Sequence, residues 1–420
     1  AAGAAAEGLR AWAAGHGVAD AHPRVVVADA LEPDLASRSG PVDVVVGNPP
    51  FQNQLGGATA RTAAERDALT TRFGAAVGGY VDVAALFQLA ALDLVREGGV
   101  VTLIQPRSFL VARDVAAVRE RLLDAGRLGE VWLPGVSLFD AKVDVCATVL
   151  VVGGPGDAAV SVVGGRDADI LHGSVDGGIL RASPTWSAMW AVANGVPEVV
   201  AASGATSVGS VATATAGFRD QYYGLADAVV DEAVPDVART GDHPRLVTSG
   251  LIDPARLLWG ERACRFNRVA YEHPRVVLDR LSPPLRAWAG RRLVPKVLVA
   301  TQTRVLEAVV DEAGGLLPSV PVLTVSARSG RADDLWRIGA LLCAPPATLV
   351  AARRHLGAGR NATALRLAAS DVLALPLPAG REPWDRAAGA FEQASAAEAL
   401  PGVVKVLVGK DVPAPNRHGI

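Results

Sequence analysis

An amide, two prolines and an aromatic ring follow one apolar stretch of the chain, and these residue types could do chemistry together. The strand predicted over residues 41–47 leads directly into Asn48-Pro49-Pro50-Phe51. The prolines fix the backbone and remove its donors, so the carbonyl groups of Asn48 and Pro49 are held in fixed directions. The Asn48 side chain adds an acceptor, and Phe51 adds a flat apolar face. Together these groups predict a socket for a planar ring that carries an amino group.

Such a socket suits methylation of an exocyclic amine. The lone pair of that nitrogen is delocalised into the ring, so the amine is a poor nucleophile. Accepting both of its hydrogens favours a tetrahedral nitrogen, whose lone pair can attack a sulfonium methyl group in line. Positioning and electrostatics therefore carry the reaction without a strong base. The alternative is a simple strand-ending turn, because proline after asparagine is common in turns.

The stretch VVVGNPPF (44–51) resembles the catalytic motif of the amino-directed DNA methyltransferases, specifically the N6-adenine family. VVVADAL (25–31) resembles the family strand whose terminal acid, here Asp29, hydrogen-bonds the adenine of S-adenosylmethionine. SLFDAKVDVCATVLVV (137–152) resembles the segment whose aromatic, here Phe139, packs on the target base opposite Phe51. Residues 80–110 continue the resemblance, and 217–225 and 365–378 look more weakly like parts of target-recognition domains. The order of the parts is similar to that in type II and type IIG restriction-modification enzymes.

The resemblance implies transfer of a methyl group from S-adenosylmethionine to adenine N6 in double-stranded DNA. It assigns the catalytic motif to Asn48, Pro49, Pro50 and Phe51, base stacking to Phe51 and Phe139, and cofactor contacts to Asp29 and Asn48. The base would be flipped out at a cost of a few kcal/mol, which stacking at about 1–3 kcal/mol per base offsets. A restriction endonuclease is an expected partner.

Other interpretations remain open for several of these features. The same motif class serves methyltransferases that act on RNA or on protein glutamine, although the long C-terminal part favours DNA. Asp29 could simply cap the turn after its strand, and Phe139 could be an ordinary core residue. Asp82 is interpreted as the start of a helix and not as a cofactor contact.

The family pattern also requires a glycine-rich loop after the first strand and an acid after the second, and the sequence supplies neither before Asp29. The chain is therefore expected to lack the N-terminal cofactor-binding motif. Two alternatives follow, a catalytically inactive DNA-binding remnant and one half of a split methyltransferase. In the second, another polypeptide supplies the complementing N-terminal half at the exposed edge of the sheet.

Short apolar strands alternating with helices predict an α/β fold with a mostly parallel sheet covered on both faces. The interpretation is a partial class I Rossmann-like methyltransferase domain over 1–155, short strands or a linker over 156–182, a mixed α+β target-recognition domain over 183–400, and a tail over 401–420. The predicted elements are helices at 1–16, 80–99 and 115–126, strands at 23–31, 41–47, 100–106, 128–134 and 143–152, and a mobile loop at 52–79. The last two strands are expected to form an antiparallel edge hairpin.

Composition limits the remaining classes. The chain has 420 residues, of which 50% are hydrophobic, and a formal net charge of −2, so a nucleic-acid surface must be local. The three cysteines form no CxxC pair, which argues against a zinc site or a disulfide framework and fits a cytoplasmic setting. No apolar run reaches membrane-spanning length.

One segment is strongly basic. Residues 256–304 contain eleven Arg or Lys and three acids, a net charge of +8, with aromatic residues between them. This segment could be a solvated face, but its charge and its aromatic residues favour contacts with DNA phosphates and grooves. The residues named for this role are Arg262, Arg265, Arg268 and Lys296.

Overall fold

The computed structural model describes residues 2–52, 61–78, 80–140, 143–199, 205–233, 243–359 and 361–396. The tail expected over 401–420 lies outside these ranges. The chain divides into two compact units, Ala1–Pro184 and Thr185–Ile420. Among the described residues no single helix is long and apolar enough to cross a membrane; one bent pair, Ala332–Cys343 with Pro345–His355, reaches that length and composition jointly.

The first unit is an α/β structure. Its strands are Val42–Gly47 (β1), Val95–Pro106 (β2), Gly126–Leu133 (β3), Val145–Val152 (β4), Val160–Gly164 (β5) and Ile170–Val175 (β6). Its helices are Ala2–Gly15 (α1), Leu35–Ser39 (α2), Ala63–Phe73 (α3), Val83–Leu92 (α4), Ser108–Val111 (α5), Ala116–Ala125 (α6) and Gly177–Ala182 (α7). The short strands expected between 156 and 182 are β5 and β6, and both belong to the sheet of this unit.

The strand order of this sheet is β1-β2-β4-β3-β5-β6. β1 pairs with β2 in parallel, and β3 pairs with β5 in parallel, whereas β4 is antiparallel to both β2 and β3. β1, β2, β3 and β5 therefore share one direction, and their carboxyl ends meet at one edge of the sheet. β3 and β4 are antiparallel as predicted, but β4 lies between β2 and β3, so the prediction of an edge position was wrong.

The outer side of β1 is unusually open. Val44 and Val46 expose 56% and 76% of their surface, and among the described residues the sheet has no strand beyond β1. The predicted strand over 23–31 does not form: residues 23–31 pair with no strand among the described residues, and Val27 is exposed. The expectation that helices cover both faces is therefore not met at β1.

Two other local predictions were wrong. The helix predicted over 80–99 ends at Leu92, and β2 already begins at Val95. Val95 pairs with Val42, and a bulge at Gly98, with φ +75°, carries the chain onward to the pairing of Val100 with Val44.

The segment 63–73, predicted to be part of a mobile loop, is helix α3. Thr62 and Glu65 form a capping box at its start, the kind of local signal that begins a helix. Arg72 in its last turn pairs with Asp93 at 2.7 Å, and Phe73 is buried. Helix α3 is thereby held at both ends, and residues 53–60 and 79 of the predicted loop lie outside the described residues.

The second unit is mixed α and β. Its strands are Ala212–Thr215 (β7), Val229–Asp231 (β8), Arg245–Val247 (β9), Ile252–Asp253 (β10), Arg256–Leu257 (β11), Cys264–Phe266 (β12), Val269–Tyr271 (β13), Pro274–Val276 (β14), Lys296–Ala300 (β15), Glu307–Asp311 (β16), Leu316–Pro318 (β17) and Leu323–Ala327 (β18). Its helices are Ser187–Ala193 (α8), Arg219–Gly224 (α9), Pro283–Arg292 (α10), Ala332–Cys343 (α11), Pro345–His355 (α12), Ala369–Leu373 (α13) and Arg381–Ala396 (α14).

Two four-stranded sheets organise this unit, β16-β15-β18-β7 and β17-β9-β14-β8. The first is antiparallel and shares its core with the apolar faces of α11 and α12. The hairpins β10-β11 and β12-β13 are separate two-stranded sheets.

Candidate functional site

The Asn-Pro-Pro-Phe group lies where β1 ends, at the carboxyl edge of the first sheet. Pro49 is buried, Phe51 is half-buried, and Asn48 and Pro50 are exposed. The buried proline holds the turn against the protein while the Asn48 amide stays accessible. This edge is the usual position of a ligand crevice in an open α/β sheet.

The backbone immediately after Phe51 is fastened to the start of α4. The Gln52 amide donates to Asp82 Oδ1 at 2.9 Å, and the Val83 amide donates to the Gln52 carbonyl at 3.3 Å. Asp82 also caps α4 by accepting from the Ala84 amide at 3.0 Å. The interpretation of Asp82 as a helix start is confirmed, and the residue has a second task that sequence reasoning missed. It holds the exit of the Asn48–Phe51 turn in place.

Phe139 lies in the loop after β3, on the same edge of the sheet. It is 38% exposed, and its carbonyl accepts from the Ser137 hydroxyl at 2.8 Å. β2 and β4 lie between β1 and β3, which places the two strands about 14 Å apart at normal strand spacing. The topology brings Phe51 and Phe139 to one edge, and the loop that carries Phe139 must cross two strands to share a base with Phe51.

The intervening strands are joined at this edge by an ion pair that sequence reasoning missed. Arg107 follows β2 as Asn48 follows β1. Its Nε lies 3.3 Å from Asp144 Oδ2, and its amide donates to the Asp144 carbonyl at 2.8 Å. A cation directly after a strand end was the available signal.

Asp29 does not end a strand. It is exposed, its Oδ1 accepts from the Leu31 amide at 2.9 Å, and its carbonyl accepts from the Glu32 amide at 3.1 Å. The turn-capping interpretation therefore describes its local structure. A carboxylate has a second oxygen with free acceptor positions, so this hydrogen bond does not occupy the whole group.

The four basic residues named from the sequence have different environments. Arg262 pairs with Asp253 at 3.2 Å, whereas Arg265 and Arg268 are exposed on and beside β12. Lys296 on β15 is 0% exposed, and its ammonium pairs with Asp311 on β16. Burial lowers the pKa of Lys296, and Asp311 opposes that effect. This burial removes Lys296 from the residues that could touch DNA.

Arg262 belongs to a small charge cluster. Glu307 on β16 lies in it, and burial together with Asp253 raises the pKa of Glu307 to about 7, while Arg262 opposes the rise. Arg262 therefore helps to balance acids of its own unit.

Comparisons with known proteins agree with this architecture. Residues 26–133 match the family model described as Eco57I restriction-modification methylase. The resemblance to restriction-modification methylases is therefore confirmed for this segment, within which Asp29 and the Asn48–Phe51 group lie. A search of curated proteins found no match.

Among solved structures, the type IIL restriction-modification enzyme MmeI in complex with DNA is 11% identical, with 92% of this chain and 54% of that chain covered and a TM-score of 0.54. The DrdV-DNA complex is 11% identical over 93% of this chain and 49% of that chain, with a TM-score of 0.47. The type IIG restriction endonuclease BpuSI is 15% identical, with 85% of this chain and 50% of that chain covered and a TM-score of 0.37. The chain thus spans about half the length of these structures, and the likeness to MmeI concerns the fold.

Proposed function

We propose that this chain carries the methyl-transfer site and the DNA-recognition part of a site-specific, adenine-N6 DNA methyltransferase of a restriction-modification system. The observation that carries the proposal is the Asn48–Phe51 turn at the carboxyl edge of the sheet, inside the segment that matches the methylase family. The fold likeness to MmeI over both units supports the assignment of the second unit to DNA recognition.

In the proposed mechanism, the base is flipped out of the duplex and lies against Phe51. The Asn48 side-chain oxygen and the Pro49 carbonyl accept the two amine hydrogens, which directs the nitrogen lone pair away from the ring. The Asp82–Gln52 hydrogen bond keeps these acceptors in register with the base. Phe139 covers the opposite face if its loop crosses the edge. Such prepositioned groups require little rearrangement as the amine becomes tetrahedral.

S-adenosylmethionine would supply the methyl group as an electrophilic sulfonium and would be left as the neutral thioether. The proton that the methylated nitrogen loses would pass to water at the carboxyl edge, where Asn48 is exposed. Asp29 would hold its adenine through the carboxylate oxygen that does not cap the turn, and Asn48 would border it. The donor and acceptor types present fit these two contacts.

The test is methyl transfer from labelled S-adenosylmethionine to unmethylated bacterial DNA, followed by digestion to nucleosides. Label in N6-methyladenine is expected. Asn48→Ala should lower the rate by about 10²–10³-fold, the usual effect of losing one prepositioned polar group, without loss of fold because Asn48 is exposed. Asn194→Ala on the second unit is the control and should leave the rate unchanged. Label in another nucleoside, or an unchanged rate for Asn48→Ala, would contradict the proposal.

The open edge of β1 favours a second candidate, a methyltransferase half that is completed by further strands on that edge. The supporting observation is that no described strand pairs with the outer edge of β1. The exposed side chains of Val44 and Val46 lie on one face of β1 and show that this face is also uncovered. Calorimetric titration with S-adenosylmethionine separates the candidates. Binding by this chain alone favours the first, and DNA binding without cofactor binding favours the second.

A further inference from the structure

The β12-β13 hairpin is a small element with an outward basic face. Cys264 pairs with Tyr271, Arg265 with Ala270, and Phe266 with Val269. Cys264 and Phe266 are buried, whereas Arg265 and Ala270 are exposed and Val269 is 51% exposed. Residues 264–271 contain two arginines and no acid.

An isolated two-stranded hairpin is marginal in water, and aromatic side chains anchor this one. The Phe266 ring packs 4.7 Å from the ring of Tyr222, and both belong to one core cluster with Trp288. The Tyr222 hydroxyl accepts the Asn267 amide at 2.9 Å. The tip of the hairpin is therefore held by its inner face, and the outer face remains exposed.

One of the two turn residues, Arg268, is unfavourable for the turn that it forms. Asn267 and Arg268 have φ values of +46° and +69°, the pattern of a two-residue turn that prefers Asn-Gly. Asparagine tolerates this region, but arginine is held there against its backbone preference. Glycine at residue 268 would serve the turn better, so the turn itself does not explain an arginine at this position.

The guanidinium groups of this hairpin differ from those of three arginines in the basic stretch, a property that they share with the exposed Arg280, Arg291 and Arg304 outside the hairpin. Arg256, Arg262 and Arg286 each pair with a carboxylate of the second unit. Within the described residues neither Arg265 nor Arg268 has a carboxylate partner. Beside the hairpin, Tyr223 packs edge-on against Tyr222 and is 63% exposed.

We propose that the β12-β13 hairpin enters the major groove of duplex DNA, where Arg268 at its tip and Arg265 on its outer face contact the DNA. A two-stranded ribbon fits the major groove of B-form DNA. The deep, narrow major groove of A-form RNA does not admit it. The inference rests on the proposed DNA methyltransferase function and adds the element that holds the duplex.

The test uses the full chain, a random-sequence DNA duplex, and affinity measured at several salt concentrations. Arg268→Gly and Arg265→Gln are each expected to weaken binding to this duplex and to reduce the salt slope by about 1. Arg268→Gly should leave the melting temperature unchanged or raise it by about 1–3 °C, because glycine relieves the backbone. Weaker DNA binding by a protein that is at least as stable is the expected signature.

Two variants are matched controls. Arg381→Gln removes one exposed charge at the start of α14 and should leave affinity unchanged. Ala168→Gly relieves another positive φ, +56°, without changing charge, and should affect only melting.

Three results would overturn the proposal. If wild type binds DNA and both hairpin variants bind like Arg381→Gln, the hairpin assignment fails and the methyltransferase proposal stands. Binding of an RNA duplex as tight as that of DNA contradicts entry into a B-form groove. Failure of the wild-type chain to bind DNA removes both proposals.

Discussion

The Asn48–Phe51 turn and the β12-β13 hairpin are both proposed to contact DNA, but different interactions stabilise their conformations. The turn is fixed by its prolines and through Gln52, whose amide donates to the Asp82 side chain and whose carbonyl accepts from the Val83 amide. The groups of the turn that contact the base are neutral. The hairpin is fixed by buried aromatic rings, and its working groups are charged. A group that must aim at one nitrogen needs a rigid backbone, whereas a group that reaches phosphates and base edges needs an exposed cation on a stable base.

The comparison also shows why net charge is a poor guide to a binding surface. The basic stretch has a charge of +8, yet several of its cations are used inside the protein. Lys296 is buried with Asp311, and Arg275 is buried and donates to the carbonyls of Glu232 and His243. The exposed Arg265 and Arg268 on the β12-β13 hairpin are a small part of the positive charge of this stretch.

The largest effect on this comparison is expected from Lys296→Met. Removing the ammonium leaves Asp311 buried, and among the described residues its carboxylate then accepts only from the Gly315 and Leu316 amides, at 3.0 and 2.9 Å. We expect a loss of about 3–5 kcal/mol in the free energy of unfolding, measured by urea denaturation, because the remaining charge is uncompensated. The salt slope of DNA binding should not change.

The double variant Lys296→Met/Asp311→Leu is the control for the buried charge. It should recover part of the lost stability, since replacing both partners by apolar groups removes the uncompensated ion. If Lys296→Met were as stable as wild type but had a lower salt slope of DNA binding, Lys296 would contact DNA as the hairpin arginines are proposed to do. The contrast between buried and exposed cations would then be wrong.

A smaller, pH-dependent effect is expected from Glu307→Gln. Burial and Asp253 raise the pKa of Glu307 to about 7. The unfolded chain releases this proton near its ordinary pKa, so native stability falls as the pH rises from about 4.5 and the loss is complete above about 7. Glu307→Gln should match wild type at pH 4.5 and be more stable by about 1–2 kcal/mol at pH 8, allowing for solvent screening.

Arg262→Gln is the companion variant, because Arg262 opposes the shift of Glu307. Loss of the Arg262 charge should raise the pKa of Glu307 further, so the free energy of unfolding should continue to fall up to a higher pH than in wild type. Thermal melts between pH 4.5 and pH 8.5 would show both effects. An Arg262→Gln protein with the wild-type pH profile would mean that Arg262 does not balance this cluster.

The features that could be predicted correctly are those that depend on residues close together in the sequence. The helix at Ala2–Gly15, the strand before Asn48 and the methylase resemblance all follow from local pattern or motif and are confirmed. Pairing across the sheet was less predictable. The start of β2 at Val95 depends on Val42, and the central place of β4 depends on later strands joining β3.

Site residues show the same division. Asn48, Pro49, Pro50 and Phe51 are consecutive, so one strand end places all of them. The link between Asp82 and Gln52 spans thirty residues and was not visible in the sequence. Burial of Lys296 depends on Asp311 in the next strand, which a count of charges does not include.

The smallest effect is expected from Asp82→Ala, which tests whether the Asn48–Phe51 turn is rigid. The change removes the cap of α4 and the acceptor for the Gln52 amide. Loss of a cap costs about 1 kcal/mol, but the loop should respond more strongly than the global fold. The Gln52 amide is expected to exchange with solvent hydrogen faster, and the methyl-transfer rate is expected to fall.

Asp176→Ala is the matched control, because Asp176 caps α7 through the Gly178 and Ile179 amides and touches no part of the turn after β1. It should cost similar stability and leave both the Gln52 exchange rate and methyl transfer unchanged. Asp82→Asn keeps an acceptor oxygen and should restore most of the exchange protection. If Asp82→Ala and Asp176→Ala behaved alike in all three measurements, Asp82 would be only a helix cap, and the rigidity of the Asn48–Phe51 turn would have to come from its prolines alone.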